Sequence, residues 1–180
     1  MEEPYKNVYS RYAETTELKH DPLRMVYIAY DPEKDYLVYN KRYLMSPGHQ
    51  QPANFIFPHE LAHRYDCLVI KSWKNKEFTD AIEAATKKVQ SNINRYKDLY
   101  NAAGDANPAF QDILSALSDN KIKVKCRHDS TYWAEPNNKA LEMFANASYL
   151  QANHIKLPEF GGLLDDIMEI AKTMFIKGAK

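Results

Sequence analysis

His59, Glu60 and His63, in the run Phe57-Pro58-His59-Glu60-Leu61-Ala62-His63-Arg64-Tyr65-Asp66, have the types and spacing of a metal-dependent hydrolase. On a helix of about 3.6 residues per turn, side chains four apart point in nearly the same direction, so both imidazoles can reach one metal ion. Glu60 lies roughly 100° round from His59, where a carboxylate can reach water on that metal without binding the ion itself. Two histidines leave a tetrahedral zinc two positions short, and a catalytic site fills one with protein and leaves the other to water. A third histidine six residues after the second, with glycine between, is ruled out because Val69 and Asp66 stand at those positions.

A glutamate on a later helix is the other common solution, and Glu142 is one candidate. Glu142, Asn146 and Tyr149 form a polar stripe at helical spacing beside the apolar set Leu141, Phe144, Ala147 and Leu150. A carboxylate there can point into a cleft or face water, and by spacing alone Glu77, Glu83, Glu135 and Glu159 are rivals. With three ligands, zinc lowers the pKa of its water towards about 7, and Glu60 can pass the proton to a leaving amine. Amide hydrolysis is the matching reaction. Its oxyanion needs a further donor, and His128-Asp129-Ser130-Thr131-Tyr132-Trp133 offers the Tyr132 phenol first and the His128 imidazole second. A buried aromatic and a surface histidine are the plain alternatives.

Asp66 falls on the same helical face as both histidines. It suits orienting His63 or anchoring the neighbouring loop, or it is an ordinary surface acid. Cys67 and Cys126 lie near these motifs but read as free buried thiols, and His20, His49 and His154 as surface or packing residues.

The elements that must position these groups follow from the pattern. Residues 1–24 read as an N-terminal arm or short helix, and residues 25–180 as one domain. Met25 to Tyr30 and Tyr36 to Asn40 flank Asp31-Pro32-Glu33-Lys34-Asp35 as a hairpin, and Tyr43 to Ala53 is a loop. Asn54 caps a helix reaching about Trp73, which puts Pro58 near its fourth position. A second helix runs from Asn75 to Gly104, and a shorter amphipathic one opens at Asn107 and Pro108. Lys121 to Lys125 alternates like a half-exposed strand. Helices over about Pro136 to Gln151, and after Gly161-Gly162, complete a mostly helical α+β domain with a small N-terminal sheet.

At 180 residues the chain can bury a sizeable core as one domain. Lys+Arg and Asp+Glu both number 24, so no net charge points to nucleic acid or to an acidic membrane surface. Two cysteines are too few for a disulfide framework, and no stretch has transmembrane length. These features, with no apolar leader, suggest an intracellular or virion-borne protein.

Three blocks in order resemble the metallopeptidase-like C-terminal domain of phage minor capsid, or head morphogenesis, proteins. They are F-P-H-E-L-A-H-R-Y-D at Phe57–Asp66, the stretch to Trp133 containing D-N-K-I-K-V-K-C-R-H-D-S-T-Y-W, and K-A-L-E-M-F-A-N at Lys139–Asn146. More distantly the chain resembles the zinc peptidase domain of anthrax lethal factor. The resemblance covers roughly residues 36 to 175. It implies a zincin-like fold, zinc held by His59, His63 and Glu142, and Glu60 as general base. It also places Asp66, His128 and Tyr132 near the site, where Asn146, one helical turn from Glu142, is expected beside the ligands as well. Two departures are Ala62, where glycine is usual, and Arg127, where glycine commonly precedes the histidine. The expected protein is a zinc endopeptidase of the gluzincin type acting on a peptide or protein, linked to phage head assembly. A virion module keeping zinc as a fold staple and a lethal-factor-like toxin peptidase are the alternatives.

Overall fold

Tyr5, Val8, Tyr9 and Tyr12 recur at helical spacing, and in a computed structural model they form the buried face of α1 (Tyr5–Thr15). The structure describes residues 3–24, 26–45, 53–103, 107–125, 128 and 130–180. The segment read as an arm or short helix therefore contains a helix of the main core, and it contains a strand as well. β1 (Glu17–His20) runs parallel to β3 (Tyr36–Tyr39), while β2 (Ile28–Asp31) and β3 form the expected antiparallel hairpin, giving the order β1-β3-β2. Asp31 stabilises the hairpin turn by accepting from the Glu33 and Lys34 amides, and Asp35 takes a left-handed φ of 52° to close it.

Asn40 caps the one-turn helix α2 (Lys41–Leu44), so Tyr43 and Leu44 are helical rather than loop. Residues 46–52, which hold most of that expected loop together with His49, lie outside the described residues, as do Gly104, Cys126, Arg127 and Asp129. The histidine motif lies on α3 (Ala53–Tyr65). Asn54 is inside that helix and not its cap, and Pro58 is an interior proline. Its ring has no N–H for the Asn54 carbonyl one turn back.

The α-helix also stops earlier than its apolar pattern suggests. From Asp66 to Ile70 the chain widens into a π-helical turn, closed by a 2.7 Å bond from Lys71 N–H to the Asp66 carbonyl. Lys71 then adopts φ 56°, and a 3-10 turn (Ser72–Lys74) follows. Asp66 causes the break, because its carboxylate accepts from both the Ser72 amide (2.7 Å) and the Ser72 hydroxyl.

Asn75 caps α4 (Lys76–Ser91) through the Phe78 amide. The single long helix expected there divides at Asn92, whose side chain bonds the Lys88 carbonyl while its backbone leaves helical geometry, and α5 (Ile93–Ala103) continues. Asn107 and Pro108 open the amphipathic helix α6 (Pro108–Leu117) as expected, but its polar side does not face water: every residue from Ala109 to Leu117 is buried, including Gln111, Asp112 and Ser115. Lys121 to Lys125 shows the expected alternation of exposed lysines with buried Ile122 and Val124 but pairs with no strand among the described residues. Side chains take its amides instead: Ser118 Oγ accepts from Ile122, and Gln111 Oε1 accepts from Lys125. After α7 (Ser130–Ala134) come α8 (Asn138–Ala152), a 3-10 turn (Pro158–Phe160) and α9 (Asp165–Gly178). The result is a mostly helical α+β fold with a small three-stranded sheet. No described helix is long and apolar enough to cross a membrane.

α8 lies at the centre, packed against α3, α6 and α9. Phe175 of α9 is fully buried among aromatic rings, with centroids of Tyr5 at 4.2 Å, Tyr65 at 4.8 Å, Tyr9 at 5.9 Å and Phe144 at 6.3 Å. The Tyr65 hydroxyl donates to the Phe175 carbonyl at 3.1 Å, tying the end of α3 to α9. Replacing Phe175 with Ala is expected to cost about 3–5 kcal/mol, because the cavity opens where several elements meet. Urea unfolding of the two proteins measures that difference.

Candidate metal centre

Three donor atoms from α3 and α8 converge in the core. His59 Nε2 lies 3.1 Å from Glu142 Oε2, His63 Nε2 lies 3.1 Å from His59 Nε2, and His63 Nε2 lies 3.3 Å from Glu142 Oε2. Residues four apart on α3 supply one edge of this triangle, and the packing of α3 along α8 supplies the other two. All three side chains are buried, Glu142 at 2 % exposure. Tetrahedral ligands at about 2.0–2.1 Å from a zinc ion stand about 3.3–3.4 Å apart, close to the edges observed. Two imidazole nitrogens and a carboxylate oxygen are also the donor types that zinc takes. His59, His63 and Glu142 can therefore hold a metal ion. The rival glutamates do not join this group: Glu77, Glu83 and Glu135 are exposed, and Glu159 lies half-buried outside it.

The electrostatics of the cluster follow from its burial. Burial alone would raise the Glu142 carboxyl, but His63, His128 and His59 against it hold it well below the usual carboxylate range. Burial alone would lower His63, but the charge of Glu142, with Glu60 and Asp66, raises it to about 9. A proton on His63 answers the carboxylate charge at a position where a divalent cation can replace it. His59 Nδ1 is buried with no hydrogen-bond partner among the described residues.

Glu60 faces the same cluster from the strand side. Its Oε2 accepts the Tyr30 N–H of β2 at 2.8 Å, so the sheet edge holds the carboxylate in place. At 7 % exposure, burial raises its carboxyl and outweighs the opposing pull of His63 and His59, with Glu142 adding a lesser upward push and the Tyr30 N–H a lesser downward one.

α7 brings Tyr132 to the other oxygen of Glu142. The Tyr132 hydroxyl donates to Glu142 Oε1, and His128 Nε2 lies 3.2 Å from the same atom, with the two rings stacked at 3.8 Å between centroids. The His128 side chain is 39 % exposed and forms the open side of the cluster. Asn146, one turn along α8 from Glu142, donates to Asp112 Oδ2 at 2.6 Å. Asp66 is buried at 0 % exposure, with both of its oxygens bound to Ser72. Of the readings open for it, loop anchoring describes its hydrogen bonds, while its charge reaches His63 through space. Cys67 is a free, half-buried thiol raised to about 12 by burial. His20 is exposed and packs on Tyr39, and His154 is exposed.

Sequence reasoning missed three residues that build this centre. Asp112 reads as an ordinary polar position of a short helix, yet it lies beside His128, 4.0 Å from its Nε2. Nothing in the sequence marks the Tyr30 amide. Arg64 is hidden by its charge, since a buried arginine beside the motif is not expected. It forms a two-pronged bridge to Asp35 (2.6 and 2.8 Å) and donates to the Thr15 and Thr16 hydroxyls, clamping α3 to the hairpin turn and the end of α1.

The hydrogen bonds from Arg64 hold the Asp35 carboxyl below its ordinary value. Its stabilisation is therefore present above the unfolded pKa of about 3.9 and is lost as pH falls through the lower folded value. Asp35→Asn is expected to lower stability by no more than about 1 kcal/mol at neutral pH, since the carboxylate is half exposed. The gap between the two melting temperatures should close as pH falls below about 4.

Surface cavities of about 270 Å³, lined by Trp73, Ile82, Thr86 and Ala140 among others, and about 370 Å³, lined by Leu150, Ile155, Phe160 and Met168 among others, include none of the cluster residues. No family model, curated protein or solved structure matches this chain.

Proposed function

We propose that the protein is a zinc-dependent peptide-bond hydrolase, with His59, His63 and Glu142 as the metal ligands and Glu60 as the general base. The observation that carries this reading is the triangle of donor atoms with 3.1–3.3 Å edges, with a buried, upward-shifted glutamate one residue from the first ligand. Zinc held there would polarise a peptide carbonyl and lower the pKa of an attacking water towards about 7.

The chain's own residues divide the remaining work. Glu60 takes the proton from the water and delivers it to the leaving amine, aided by burial that brings its carboxyl towards the working pH. The Tyr30 amide keeps that carboxylate aimed. Glu142 is fixed through Oε1 by Tyr132 and His128, which leaves Oε2 towards the two histidines. The same phenol and imidazole, at the more open edge of the cluster, would have to turn their single protons away from Glu142 Oε1 to donate to the oxyanion of a bound substrate. The resemblance of the three sequence blocks to phage head-morphogenesis proteins supplies the setting, processing of a protein during head assembly.

The depth of the cluster favours a second reading, a module in which zinc staples α3 to α8 without turnover. Glu60 and Glu142 are 7 % and 2 % exposed, as a closed structural site requires. Metal analysis tests the ligand set that both readings share: purified protein should carry at least one tightly held zinc per chain, and His59→Ala should lose it. Protein that binds no zinc contradicts both.

A further inference from the structure

We propose that Asp112, His128 and Glu142 form a second divalent-cation position beside the first, bridged to it by the two oxygens of Glu142. This rests on the reading of Glu142 as a metal ligand. The two oxygens already face different partners. Oε2 points to His59 and His63, and Oε1 lies 3.2 Å from His128 Nε2. Asp112 Oδ1 stands 4.0 Å from that same nitrogen, and the three potential ligand atoms all lie within 4.8 Å of one another.

Direct pairing accounts for His128 against Glu142 at 3.2 Å but not for the position of Asp112. At 4.0 Å, Asp112 and His128 are too far apart for a hydrogen bond, and Nε2 carries at most one proton to share between two carboxylates. Ligands at about 2.1 Å around a six-coordinate ion stand about 3 Å apart when adjacent and about 4.2 Å apart when opposed, a range that includes both separations. Asn146, at 0 % exposure, binds Asp112 Oδ2 and leaves Oδ1 as the oxygen near His128. Two buried carboxylates, Asp112 at 9 % and Glu142 at 2 % exposure, thus flank the one partly exposed imidazole from two sides, while Glu142 turns its other oxygen to His59 and His63. The exposed side of His128 provides the way in. A carboxylate bridge holds paired metal ions about 3.5–4 Å apart in two-metal hydrolases, where one ion can bind the attacking oxygen and the other a substrate oxygen. One nitrogen and two carboxylate oxygens suit zinc or manganese.

Native mass spectrometry of chelated protein titrated with zinc alone reads the number of ions directly. The wild type should saturate at two ions per chain, and Asp112→Asn and His128→Asn at one each, with circular dichroism confirming that the variants are folded. His128→Asn changes a partly exposed side chain, so it provides the test if Asp112→Asn does not fold. Saturation of the wild type at one ion, removed by His59→Ala, overturns the second position and leaves the first reading intact. Two ions retained in the folded variants also overturn it. No ion bound at all defeats both readings together.

Discussion

Glu60→Gln is expected to keep its metal and its fold while hydrolysis falls by about 10²–10⁴-fold, the usual contribution of a general base. The substitution is nearly isosteric, and its carboxamide oxygen can still accept the Tyr30 N–H that now holds Oε2 at 2.8 Å. It removes only the ability to carry a proton. A peptidase assay beside metal analysis separates the two effects, and unchanged turnover in this variant contradicts the assigned role. A loss of metal along with activity would instead place Glu60 among the ligands, which its contact with the sheet edge argues against.

Glu142→Ala should have the largest effect on the whole molecule. One carboxylate accepts from Tyr132 and faces His59, His63 and His128, so its removal leaves three imidazoles converging without a counter-charge. Breaking a buried set of this kind costs about 3–5 kcal/mol. In a domain of this size that lowers the melting temperature by roughly 10 °C. Bound metal should be lost as well, since two histidines alone hold zinc poorly. Thermal melts with and without zinc measure both quantities: the wild type should gain stability from the metal, and the variant should gain none. A variant that melts like the wild type and still responds to zinc would remove Glu142 from the site.

The candidate ligands were legible in the sequence because their signals are periodic and chemical. The spacing of His59 and His63 needs only helix geometry, whereas Glu142 was one of several glutamates by spacing and was singled out only by the resemblance of the three sequence blocks. The hairpin, the Asn75 and Asn107 caps and the mostly helical α+β class were legible for the same reason, since each depends on neighbours within a few residues. What escaped depends on contacts distant in sequence, or on side chains that compete with the backbone. The pairing of β1 with β3 brings together residues about twenty apart whose strand is exposed throughout and so shows no alternation. Asp66 and Asn92 each end or break a helix through their own hydrogen bonds, where apolar periodicity alone continues across them. Lys121 to Lys125 alternates because it lies along the core, while Ser118 and Gln111 satisfy amides that a strand partner would otherwise take. Asp112 was invisible because a buried acid on a helix buried on every side has no pattern to depart from.

The central claim is that the metal held by α3 and α8 is used for hydrolysis and not only to bind them together. The direct measurement is cleavage of an unstructured protein such as casein by chelated protein before and after zinc is added back. A folded apo protein without activity, whose cleavage returns with zinc, is the expected result. Protein that unfolds on chelation, refolds with zinc and still cleaves nothing at saturating metal would contradict it and leave the site as a staple.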